Sequence, residues 1–214
     1  RWYMISNSNP WDNLKFDVNG INEVQRKFFG TLFNIFSFFS LYANIDKFTY
    51  KEKFISPKKR PEMDQWIISE LNTLIKKVDV AYEDYEPTKV TRMISDFVQE
   101  KLSNWYVRLN RRRFWKGNYS EDKISAYQTL FDCLKTIAKL SSPIAPFYMD
   151  HLYQDLISVT SKNISSIHTS SFPKWDESNI NIDLENKINK ARNITSLALS
   201  IRKKEQIKVR QPLN

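Results

Sequence analysis

Between Ser103 and Lys116 the chain reads Ser-Asn-Trp-Tyr-Val-Arg-Leu-Asn-Arg-Arg-Arg-Phe-Trp-Lys, with five cations, four aromatics and no acid. Residues of these types bind rather than catalyse. Guanidiniums beside indoles suit splayed single-stranded bases, which stack on the rings, and phosphates, which the cations hold. With Trp105 at 0° on a helical wheel, Val90, Ile94, Phe97, Val98 and Leu102 fall at about 280° to 60°. Arg108, Arg112, Trp115 and Lys116 fall in the same arc, so a face that begins as core turns cationic and aromatic after Trp105. Unpaired guanidiniums are too costly to bury. The pattern therefore predicts a helix that outruns its bundle and presents Trp105, Arg108, Arg111, Arg112, Arg113, Trp115 and Lys116 to an RNA. The competing reading is a solvated bundle end, where arginine stems cover apolar surface and their heads stay in water. Pattern alone leaves both open.

Other chemistry is sparse. Asp79, Glu83, Asp84 and Glu86 read as a solvated helix end rather than a metal cluster. Arg192, Arg202, Lys203, Lys204, Lys208 and Arg210 form a second basic group, serving either as phosphate contacts or as ordinary complements of a helix C-terminus. His151 has no Ser or Cys partner near it in sequence. Cys133, the single cysteine, sits among Phe131 and Leu134 as a core thiol. With His151 and His168 far apart and no second cysteine, there is no metal-ligand spacing, and no catalytic, cofactor or metal site is expected here.

The elements that must position the basic stretch follow from composition and periodicity. The chain has 214 residues, 33 Lys+Arg against 24 Asp+Glu, and a net charge of +9. Only 3 glycines occur, far below the usual ~7%. Scarce glycine argues against a phosphate-cradling loop, a dinucleotide fold and tight hairpins, while 14 Phe, 10 Tyr and 6 Trp favour a helical fold with an aromatic core. The apolar stretch Thr31–Ala43 is interrupted by Asn34, Ser37 and Ser40 and is shorter than the ~20 residues of a membrane span. The first residues, Arg1-Trp2-Tyr3, show no initiator methionine or signal pattern, so an excised piece of a longer cytosolic protein is expected.

Helices are predicted over 21–43, 64–82, 87–114, 121–140, 142–156 and 184–204. The first carries Ile21, Val24, Phe28, Leu32, Ile35, Phe39 and Tyr42 within about 80°. Phe29, Phe33, Phe36 and Phe38 widen that stripe, which predicts burial on most sides. Lys58-Lys59-Arg60-Pro61 reads as a linker, Pro87 as a first-turn residue, Gly117-Asn118 as a break and Ser120 as an N-cap. Residues 158–183 read as mostly irregular, with one short strand near Ile164–His168, and residues 207–212 as an extended basic tail. The fold class is all-α, an antiparallel helix bundle.

Several blocks, in order, resemble the isoleucyl-tRNA synthetases, within the class I group shared with the valyl and leucyl enzymes. They are Arg1-Trp2-Tyr3-Met4 through Asn9-Pro10-Trp11-Asp12 to Asp17, Lys27-Phe28-Phe29-Gly30 with Tyr42-Ala43-Asn44, and Asp64-Gln65-Trp66-Ile67-Ile68-Ser69-Glu70-Leu71. Asn104-Trp105-Tyr106-Val107-Arg108 with the triple arginine, Ser142-Pro143-Ile144-Ala145-Pro146-Phe147 and Val209-Arg210-Gln211-Pro212-Leu213 complete the set. The resemblance implies a helical anticodon-binding domain at 21–183, preceded by the end of a stem-contact element at 1–20. Residues 184–214 would lead towards a further C-terminal module. It also implies isoleucine tRNA as partner, catalytic and editing domains in cis, a monomer without membrane association, and ATP with magnesium used outside this stretch. Two rivals remain: the domain of another branch such as the valyl enzymes, and a helical adaptor with no RNA role.

Overall fold

A computed structural model of the chain describes residues 1–116, 118–158, 160 and 166–212. They form two units, Arg1–Ile180 and Asn181–Asn214. The described residues are helical, with turns and irregular links and no strand.

The first unit opens with α1 (Trp2–Asn7), a short helix that periodicity does not reveal. Trp2 stacks on Phe28 with ring centroids 4.1 Å apart, and its indole N–H donates to Ser95 Oγ at 3.3 Å. Asp17 then caps α2 (Val18–Val24), accepting from the N–H groups of Asn19 and Gly20 at 3.0 and 3.2 Å. A Cβ on Gly20 would run into the Tyr3 ring, so close packing on α1 demands glycine at that position.

α2 continues through a π-helical turn, Gln25–Phe29, into α3 (Gly30–Asp46). The combined run Val18–Asp46 is long and apolar enough to cross a membrane, longer than the interrupted Thr31–Ala43 stretch indicated. Its composition has another use here, because Phe28, Leu32, Ile35, Phe39 and Ala43 form one buried stripe. Burial on most sides is not what the structure shows: Phe33, Leu41 and Ile45 are exposed on the other side.

The supposed linker before the next helix is anchored. Arg60 is 2% exposed and donates to Ile55 O and Thr129 Oγ1, both at 2.9 Å. α4 (Glu62–Glu83) follows, then a continuous helical run from Pro87 to Trp115, α7 (Glu121–Ser141) and α8 (Pro146–Ser158). Ser120 caps α7 as expected, accepting from the Lys123 N–H at 3.4 Å. α8 starts at Pro146 instead of residue 142, with Ser142–Ala145 in a turn, since Pro146 suits a first helical position. α7 is the central element, packing on α3, α4, α8 and the helix that carries the arginines.

After α8 the chain is irregular but held. Asp150 accepts from the Ile167 N–H at 2.7 Å, and the Asp176 N–H donates to Asn72 Oδ1 at 2.8 Å. Part of the strand expected near Ile164–His168 lies outside the described residues, and its described end is a 3-10 turn, Ile167–Thr169. Gly117 of the expected break is outside them too.

The second unit is one helix, α9 (Ile182–Lys204), capped by the Asn181 side chain on the Leu184 N–H at 3.0 Å. The tail is not extended. Gln206 adopts φ 54°, the Ile207 N–H returns to Arg202 O at 2.8 Å, and Arg202 Nη1 donates to Lys208 O and Gln211 O at 2.9 Å. The sequence division near 183/184 compares with one after Ile180, and residues 1–20 lie inside the first unit.

Candidate nucleic-acid interface

The basic stretch lies on a helix that changes its winding twice. α5 (Pro87–Asp96) is α-helical, Phe97–Val107 is π-helical, and α6 (Arg108–Trp115) is α-helical again. A π turn takes one residue more per hydrogen-bonded ring than an α turn. Each residue added this way displaces the downstream faces by about 100°. This is why the wheel drawn from Trp105 fails below it: Arg108, Arg112 and Trp115 do not continue the core face of Val90, Ile94, Phe97, Val98 and Leu102. Tyr106, Val107, Asn110 and Phe114 take over that role and are all buried. The helix does not outrun its bundle either. Phe114, in the last turn, is 1% exposed and meets Phe38 and Tyr127 edge-on at 5.1 Å each.

The cations therefore line a flank. Within α6, with Arg113 at 0°, Arg111, Trp115, Arg108 and Arg112 fall at about 160°, 200°, 220° and 260°, one arc of about 100°. All four are exposed, Trp115 to 59%. Asn110 and Phe114, at about 60° and 100°, lie on the opposite side with Arg113. Lys116, which ends the helix in extended conformation, is exposed beside them. Among the described residues no carboxylate pairs with Arg108, Arg111 or Arg112. Trp105 is half-buried at the end of the π stretch and already engaged with neighbours.

Arg113 faces inward. Its Nη1 and Nη2 donate to Asp64 Oδ1 and Oδ2 at 2.6 and 2.9 Å, and Nη2 also reaches Asp122 Oδ1 at 2.9 Å. Burial pulls this guanidinium down, and Asp64 more than restores it, leaving it above its ordinary value. Asp64 is fully buried and accepts further bonds from Tyr106 Oη at 2.7 Å and Ser125 Oγ at 2.6 Å. Burial first, and then the Asp64 charge, push the Tyr106 phenol well up, so it remains a donor. The triple arginine thus divides by geometry into two outward cations and one internal brace. Sequence reading missed Asp64, Tyr106 and Ser125 as parts of the site. The only signal was Asp64 at the head of the Asp-Gln-Trp-Ile block, where it read as a helix start.

The remaining candidates are placed as follows. Lys203, Lys204, Lys208 and Arg210 are exposed in the second unit, and Arg192 is half-buried there. Glu83 and Asp84 are exposed at the end of α4, Asp79 is half-buried, and Glu86 pairs with Lys89 at 2.9 Å. His151 is exposed on α8 and His168 on the 3-10 turn. Cys133 is buried, and burial raises its thiol pKa far above the usual value. Among the described residues no group of three or more His, Cys, Asp or Glu could hold a metal. ATP finds no glycine cradle in them: the open side of Gly20 is filled by Tyr3, and that of Gly30 faces the Gln25 carbonyl inside a helix. No step through ATP is assigned to these residues.

A helical bundle that exposes, among the described residues, arginines and a tryptophan on one flank has a form suited to docking RNA. The family profile of the anticodon-binding domain of tRNA ligases matches residues 64–214, and the chain belongs to that family. Its relatives are more particular: it is 60% identical over 214 residues to the isoleucine–tRNA ligase of Bacteroides fragilis, covering all of this chain and 19% of that protein. The isoleucine–tRNA ligase of Cytophaga hutchinsonii is 59% identical over 215 residues, with 19% of it covered, and that of Clostridium tetani 44% over 218, with 21% covered. The chain spans about a fifth of the length of the curated relatives it matches.

Proposed function

We propose that this chain is the anticodon-binding part of an isoleucine–tRNA ligase and docks the anticodon stem-loop of isoleucine tRNA on the exposed flank of α6. The observation that carries the reading is the exposed arc shared by Arg108, Arg111, Arg112 and Trp115, whose arginines have no carboxylate partner among the described residues. Three guanidiniums there would hold phosphates, and the Trp115 ring offers a stacking platform for an unstacked base. Lys116 adds a cation at the helix end, Trp105 supports the flank from its half-buried site, and Arg113 braces it from within. Amino-acid activation with ATP and magnesium, and editing, would belong to domains in cis outside these residues. The whole protein would act as a cytoplasmic monomer.

Binding of isoleucine tRNA across a salt series tests this. Each of Arg108→Ala, Arg111→Ala and Arg112→Ala should reduce the slope of log K against log salt by about 0.7–0.9. Trp115→Ala should weaken binding about 5- to 150-fold with little change in slope. Unchanged affinity and slope in all four variants would sink the assigned surface. Preference for valine tRNA in competition would reassign the branch.

A further inference from the structure

The inward-facing arginine of α6, Arg113, is held by the buried Asp64 carboxylate, with Asp122 beside it. α6 has eight residues and is the last part of the continuous helical run that begins at Pro87. Its rotation about its axis is set by that backbone together with tertiary contacts on its inner side. Phe114 packs edge-on against Phe38 and Tyr127, an apolar contact without hydrogen bonds to set a direction. Asp64 supplies the directional one. Four side-chain donor groups meet its two oxygens: Tyr106 Oη and Arg113 Nη1 on Oδ1, Arg113 Nη2 and Ser125 Oγ on Oδ2, at 2.6–2.9 Å.

These donors come from the π stretch, from α6 and from α7, while Asp64 itself lies in the first turn of α4. The positive end of α4 favours a carboxylate at that position. The Arg113 fork matches both carboxylate oxygens in plane, so it fixes an angle as well as a distance. Asn110 completes the clamp, accepting from Arg113 Nη1 at 3.1 Å while its amide donates to Tyr106 O at 2.7 Å. Arg113 lies about 100–160° around the helix from each residue of the exposed arc. Holding it at Asp64 turns Arg108, Arg111, Arg112 and Trp115 outward together.

We propose that Asp64, acting through Arg113 and Tyr106, is the positioning residue that aims the cationic flank of α6 at RNA. The inference rests on the reading of that flank given above. It predicts that Asp64 alters RNA binding without touching RNA.

The test uses the full-length protein and a transcript of isoleucine tRNA, at a temperature well below the melting point of every variant. Asp64→Asn should weaken binding at least about five-fold, the size of one lost stacking contact. It should also lower the salt slope by at least about 0.7, one lost phosphate contact. Tyr106→Phe, which removes one of the four donors, should act in the same direction and less strongly. If Asp64→Asn does not fold, Arg113→Lys keeps the charge, loses the fork and is expected to give the same signature. In an Arg108→Ala/Arg111→Ala/Arg112→Ala background, Asp64→Asn should add nothing to the slope change, because the guanidiniums it aims are gone. A lower melting temperature with unchanged affinity and slope in the folded variants would reduce Asp64 to a purely structural role and overturn the proposal. So would an equal slope change in both backgrounds. If the triple variant itself binds like wild type, the assignment of the flank fails, and the aiming role falls with it.

Discussion

Arg60 gives the sharpest stability test, because it is the third cation of Lys58-Lys59-Arg60 and the only buried one of the three. Truncation to alanine removes the charged donors to Ile55 O and Thr129 Oγ1, both at 2.9 Å, and a weaker one to Gln128 Oε1 at 3.4 Å. It also strips Asp132 of a cation at 3.7 Å, although Asp132 keeps its bond from Tyr50 Oη at 2.8 Å. Two good bonds from a charged donor contribute about 1.5–3 kcal/mol each. The Asp132 side chain is 35% exposed and partly screened, so its share is small. The expected loss is about 3–5 kcal/mol, in line with removing one partner from a buried ionic group. For a unit of this size each kcal/mol moves the melting temperature about 2–4 °C, giving a drop of about 6–20 °C. Urea unfolding of the 214-residue chain, followed by far-ultraviolet circular dichroism, measures it directly. Lys58→Ala and Lys59→Ala serve as controls and should stay within about 0.5 kcal/mol of wild type. A loss below about 1 kcal/mol for Arg60→Ala, or full stability in Arg60→Lys, would refute the anchoring role.

Two further outcomes are expected besides the RNA-binding series and the Asp64 test. Gly20→Ala should destabilise by up to about 2.5 kcal/mol, since intrusion on the Tyr3 ring costs about 1–3 kcal/mol against a helix-propensity gain of about 0.5–1. In a Tyr3→Ala background the same change should become neutral or stabilising in urea melts. The Asp150 carboxyl is held below the usual range, first by the Ile167 N–H and then by Ser166, His168 and Gln154. Its contribution is therefore fully present above the ordinary aspartate value of about 3.9 and is lost as pH falls through the lower folded value. The Ile167 amide resonance should report that midpoint, and a midpoint at or above the ordinary value would contradict the assignment.

Much of the secondary structure was legible because it depends on local rules. Ser120 before Glu121 and Asp122 marks the start of α7, Pro87 opens α5, and the apolar spacing of α4 and α9 brings their predicted ends within two residues. The nearest-neighbour chemistry of Trp105–Lys116 also marked the stretch proposed to bind RNA. The error in the facing of the basic stretch has one cause. A wheel assumes uniform winding, and the π stretch Phe97–Val107 breaks that assumption, because its extra residues are accommodated by packing on α4 and α3. The helix α1 escaped notice because six residues are too few for a periodic signal.

The residue sequence by itself determined that the chain is helical, that it is basic, and that its cations and indoles are concentrated between Trp105 and Lys116. Tertiary structure alone decided which of those cations face outward. Arg111, Arg112 and Arg113 are identical in type and adjacent in sequence. What separates them is a carboxylate on another helix, Asp64, 49 positions away from Arg113 along the chain. Burying a guanidinium is tolerable only where such a partner waits, and no local pattern encodes where a distant carboxylate will come to lie.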